Sequence, residues 1–87
     1  MCLPGQDLID EGLADLSRSA ETIPALLVAI GAPRLRQLGI DVPATPAHAE
    51  HRLYALLARD DADAAHSRYN ALVRRLVSFE RALACAS

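Results

Sequence analysis

IPALLVAIGAPRLRQLGI, Ile23–Ile40, decides the fold. Its first ten residues, Ile23–Ala32, carry neither a charge nor a polar side chain. On a helical wheel of about 100° per residue, Ile23, Leu26, Leu27 and Ile30 share one arc, and Ala25, Ala29 and Ala32 lie opposite with Val28. Such a helix has a large-residue face and a small-residue face but no face for water, so it is packed on both sides. Thr22 has the hydroxyl of an N-cap, and Pro24 falls in the first turn, where its missing N–H costs nothing. Gly31 reads as the end of this helix. Pro33 then restarts a short third helix carrying Leu35 and Leu38 inward, with Gly39 as its C′ stop.

The surroundings of this segment are helical as well. The chain has 87 residues, which bounds it to one domain (1–87) with a thin core. Its 52% hydrophobic content is mostly Ala and Leu, with 3% aromatics, a composition that favours helix over sheet. A first helix runs from Pro4 or Gln6 to Arg18. Ile9, Gly12, Leu13 and Leu16 follow the i, i+3, i+4, i+7 spacing, and Asp7, Glu11, Asp15 and Arg18 lie on the opposite, wet face. Gly12 on the apolar side costs about 1 kcal/mol against Ala, so it implies a close approach by another helix. A fourth helix starts at Thr45–Pro46 and ends at Ala58 or Arg59, with Leu53, Leu56 and Leu57 inward. The fifth runs from Ala62 or Asp63 to Ala84, capped by Asp61 or Asp63. Its seam is Tyr69, Leu72, Leu76, Phe79 and Leu83, widened by Val73 and Val77. The expectation is an all-α bundle of four to five helices organised by this long C-terminal helix.

Charge and composition restrict the functions available. Net charge is −2 and the pI is near 5.8, which disfavours general affinity for nucleic acid or an anionic membrane. The longest uncharged run, Thr22–Pro33, falls short of the ~20 residues a bilayer span needs. The first residues carry Asp7, Asp10 and Glu11 in place of a secretory signal, so a soluble cytoplasmic protein is expected. Cys2 and Cys85, near opposite ends, read as reduced thiols rather than a disulfide framework. No pattern implies a cofactor.

Four constellations carry possible chemistry. His48 and His51 are an i, i+3 pair, a metal-ligand spacing that lacks a third ligand; exposed first-turn histidines are the simpler reading. Arg34, Arg36 and Gln37, after Gly31, outline the second helix of a helix-turn-helix that would read DNA, although Pro33 leaves that helix very short. Arg68, Arg74, Arg75 and Arg81 stripe the last helix, opposite the acidic face of the first. The segment RDDADAAH, Arg59–His66, resembles the motif that opens the last helix of the HEPN ribonucleases. There the resemblance implies that Arg59 holds a scissile phosphate and His66 serves as general acid or base. The two Asp that follow Arg59 would repel phosphate, a departure from a phosphate-binding site.

The leading expectation is a non-enzymatic protein–protein interaction module, self-associating as a homodimer or bound in a larger complex. Its interface is expected at Ala25, Val28 and Ala29, with Val73 and Val77, because the second helix has more apolar surface than four short neighbours can cover.

Overall fold

The computed structural model describes residues 3–86. It is all-helical in these residues: α1 (Gln6–Ser17), α2 (Ile23–Gln37), α3 (Ala49–Asp60) and α4 (Ala65–Ala86). None of these helices is long and apolar enough to cross a membrane.

The apolar stretch forms one continuous helix, where the sequence suggests a break at Gly31 and a restart at Pro33. Pro33 lies within α2 and is exposed, so its ring meets solvent rather than the core. Ala32 before it and Leu35 two residues after it are buried. Continuing the helix buries Leu35 completely, worth about 1.5–3 kcal/mol, which offsets much of the ~3 kcal/mol that proline costs inside a helix. Gly31 has an ordinary helical backbone rather than a left-handed one. The stop comes at Gly39, as its C′ position implies: Gly39 has φ 93°, its N–H donates to the Arg36 carbonyl, and Ile40 N–H donates to the Leu35 carbonyl. That pair of bonds is a Schellman motif.

The other ends also have local causes. The Thr22 hydroxyl oxygen accepts from Ala25 N–H at 3.2 Å, the N-cap the sequence indicates. α3 begins at Ala49, later than Thr45–Pro46 suggests. Residues 40–46 before it have no regular secondary structure; there the Arg36 guanidinium donates to the carbonyls of Val42 at 3.1 Å and Pro43 at 3.0 Å, and Val42 is buried. Ahead of α4, Asp61 Oδ1 accepts from the N–H groups of Asp63 and Ala64 at 3.1 and 3.3 Å.

The core takes Ile9 and Leu16 from α1, Leu26, Leu27, Val28 and Leu35 from α2, Leu53 and Leu57 from α3, and Leu76 and Phe79 from α4. The helix packed against all three others is α2. α4 is the longest helix, yet its main contacts are with α2 and α3. It meets the start of α1 where Gly5 faces the Arg75 carbonyl. The expected role of the C-terminal helix as organiser is therefore not confirmed. Helix length governs how far an element reaches, whereas the lack of a polar face places α2 at the centre.

Two glycines explain how short helices surround α2. A Cβ at Gly12 of α1 would collide with the Pro24 carbonyl and with Val28 Cγ2, and one at Gly31 would stand 2.8 Å from Leu76 Cδ1. Each is a notch into which a neighbouring helix fits.

Candidate functional site

The residues anticipated as an interface divide between interior and surface. Ala25 and Val28 are 0% exposed and Ala29 is 8% exposed, all covered by this chain's own helices. The dry environment expected for α2 is present without a second chain, since the glycine notches let α1 and α4 close on it. Val73 and Val77 differ: both lie on one flank of α4 and are half-buried. One turn before Val73, Tyr69 packs its ring against the exposed Tyr54 of α3, with centroids 5.7 Å apart and planes tilted by 56°. Burial, with the Glu50 charge nearby, pushes the Tyr69 hydroxyl above its ordinary pKa.

Arg59 and His66 are both exposed but belong to different surroundings. Arg59, in the last turn of α3, borders a groove shared with Glu21, Leu26, Arg52, Ala55 and Leu56, which His66 does not line. His66, in the first turn of α4, has Nε2 3.2 Å from Asn70 Nδ2. Between them Asp60 accepts from Arg68 at 2.7 Å. The groove thus places two leucines and the Glu21 carboxylate beside Arg59, without His66.

His48 and His51 do not share a helical face. His48 is left-handed, with φ 58°, and stands ahead of α3, which removes the i, i+3 geometry. Among the described residues no three His, Cys, Asp or Glu side chains converge as a metal site. The helix-turn-helix outline is likewise replaced by the unbroken α2. Arg36 is engaged with the Val42 and Pro43 carbonyls, and Arg34 approaches Gln37 at 3.5 Å. The α4 arginine stripe is partly paired: Arg68 with Asp60, and Arg75 with Asp7 of α1 at 4.0 Å. Cys85 is exposed, while Cys2 lies outside the described residues.

Asp15 belongs to the interior rather than to the wet face of α1. It is 6% exposed, accepts from the Thr22 hydroxyl at 2.6 Å, and is paired with Arg18. The Thr22 hydrogen bond first, then the Arg18 hydrogen bond and charge, hold its carboxyl below the ordinary 3.8, against the opposing effect of burial. Thr22 thus joins Asp15 to the N-terminus of α2 and fixes the α1–α2 corner. The wheel does not show this because the partner lies seven residues away, across the turn.

Two open cavities flank that corner and share Glu21. One, of about 240 Å³, lies between the α1–α2 turn and Ala44, Thr45 and Pro46. The other, of about 320 Å³, is the Arg59 groove. In it, Arg52 Nη1 donates to Glu21 Oε1 at 2.6 Å. The groove was absent from the sequence-based candidates. Its signal was present, since Arg52, Leu56 and Arg59 are spaced i, i+4, i+7 along one helical face. Compared with known protein families, curated proteins and solved structures, the chain shows no significant match.

Proposed function

We propose that this chain is a small helical interaction module that associates with a second copy of itself through the Val73–Val77 flank of α4. The observation that supports it is that these two valines stay partly exposed after the four helices have packed. They stand one turn apart on one side of α4, as i and i+4, the spacing with which helices present an apolar ridge to a partner. The apolar surface of α2 no longer contributes, because Ala25, Val28 and Ala29 are already covered.

Light scattering over a concentration series tests the reading, with the double variant Val73→Glu, Val77→Glu as control. The expected result is a mass that rises from 9.3 kDa towards twice that value with concentration in the parent and stays at the single-chain value in the variant, with the same helical circular dichroism. A parent that remains one chain at millimolar concentration overturns the proposal.

A further inference from the structure

The groove between α2 and α3 lies away from the valine flank and has a different chemistry. Its floor is apolar: Leu26 from α2 is 2% exposed, Leu56 from α3 is half-buried, and Ala55 forms the lip. Its rim is cationic. Arg52 and Arg59 lie on one face of α3, two turns or about 10 Å apart. Glu21 closes one end and pairs with Arg52 at 2.6 Å, both side chains being about half exposed. Arg59 has no ion pair among the described residues. Its sequence neighbour Asp60 is committed to Arg68. One guanidinium of the rim is therefore neutralised and the other is open to a ligand.

We propose that this groove docks an acidic amphipathic segment of a different protein, seating one leucine-sized side chain on Leu26 and Leu56 and one carboxylate on Arg59. Charge complementarity selects the anion. A guanidinium matches a carboxylate with two parallel hydrogen bonds. A phosphate dianion would meet stronger repulsion from Glu21 and Asp60, which flank the site, than a singly charged carboxylate meets. Shape selects a segment over a free small molecule. About 320 Å³ is near the lower bound for small-ligand pockets, and this groove is open along its length. It covers a side chain or two and leaves the rest of the partner outside. The spacing sets the partner's pattern: a residue over the leucine floor and an acidic residue one helical turn further on, towards Arg59. Glu21 competes with the incoming carboxylate for Arg52, so it weakens the acidic partner that Arg59 attracts.

The test is an amide chemical-shift titration of the full chain with a synthetic helix-forming peptide carrying Leu and Glu four residues apart, and with its Glu→Gln and Leu→Ala forms. Shifts are expected to concentrate at Leu26, Ala55, Leu56 and Arg59. The Glu→Gln peptide and the Arg59→Gln protein are each expected to lose about fivefold in affinity, the scale of one exposed ion pair. Glu21→Gln is expected to shift affinity the other way, by a similar factor, because it frees Arg52. Both substitutions are at exposed positions, and the peptide changes leave the protein untouched, so a variant that unfolds does not remove the test. Equal binding of the Glu and Gln peptides, shifts lying elsewhere, weaker binding by Glu21→Gln, or no shifts at millimolar peptide would each overturn the proposal. If dilution without peptide moves the same groove resonances, the occupant is a second copy and the proposal also fails. If the valine-flank resonances alone respond to dilution, the self-association reading stands or falls separately.

Discussion

Gly12→Ala measures how closely α1 must approach α2. A Cβ at this position meets the Pro24 carbonyl oxygen and lies 2.5 Å from Val28 Cγ2 and 2.8 Å from the Pro24 carbonyl carbon. Comfortable carbon contacts are about 3.5–4 Å, so α1 must move away from α2 by roughly 1 Å. A gap of that size forfeits about a quarter to a half of each dispersion well across the seam, where Ile9 and Leu16 face the core residues of α2. Overpacking of this kind costs about 1–3 kcal/mol, and the upper end applies because the obstacle is backbone that cannot rotate aside. Alanine returns about 1 kcal/mol of helix propensity. The net expectation is a loss of about 2 kcal/mol. In a domain of this size that lowers Tm by on the order of 10 °C. Gly31→Ala is the matched control. Its Cβ would meet Leu76 Cδ1 at 2.8 Å, Leu76 Cδ2 at 3.0 Å and Glu80 Oε2 at 3.1 Å. These are the ends of flexible side chains, so a cost of about 1 kcal/mol is offset by the propensity gain and the net is close to zero. Urea and thermal unfolding followed by far-ultraviolet circular dichroism read both variants. A Gly12→Ala protein as stable as the parent, or less affected than Gly31→Ala, would refute the notch.

Two carboxylates give pH predictions of opposite sign. Asp15 has a folded pKa below its ordinary 3.8, so its contribution is present above that value and is lost as pH falls through the lower folded value; the urea midpoint of the parent should fall on acidification below about pH 4, and that of Asp15→Asn should fall less. Glu80 is pushed above its ordinary 4.5 by burial, with Arg34 opposing, so the folded state favours the protonated acid below 4.5 and loses that advantage as pH rises through the higher folded value. Glu80→Gln is accordingly expected to raise the urea midpoint at neutral pH and to match the parent in acid; a lower midpoint at neutral pH would contradict this account.

Local signals disclosed those parts of the fold whose causes are local. The Thr22 cap, the Gly39 stop and the inward Leu53 and Leu57 of α3 each depend on residues within a turn or two, and each stands where its spacing indicates, whereas Leu56, expected inward with them, lies at the groove edge. Gly12 was also legible, because a glycine on an apolar helical face has few other uses than close packing. The errors share a different origin. Gly31 and Pro33 suggest a break under rules that count propensity alone, whereas the reward for continuing α2 is the burial of Leu35 among other helices. Asp15 looks solvated on a wheel because the wheel shows one helix, and its partner Thr22 belongs to the next. The Arg36 contacts to the Val42 and Pro43 carbonyls, which lie six and seven residues on in the irregular segment ahead of α3, are likewise invisible to a single-helix pattern.

The functional surfaces were harder to read for a related reason. An apolar helix says that something covers it but not whose atoms do so. Here three short helices suffice, because small residues reduce the distance each must span. Gly12 admits Val28, Gly31 admits Leu76, and Ala25, Ala29 and Ala32 keep the far side of α2 thin. Had those positions carried larger side chains, α1 and α4 would stand further off and α2 would need a second chain to exclude water. Closing the core from within leaves other apolar side chains at its margin. Val73 and Val77 remain partly exposed on α4 because α4 turns its Leu76–Phe79 side to the core. The Arg59 groove remains because α3 presents Leu53 and Leu57 to the core and leaves Leu56 at its edge, between two arginines of which, among the described residues, Arg52 alone is ion-paired. The same choice of small residues that closes the core from within therefore determines which apolar positions stay partly exposed.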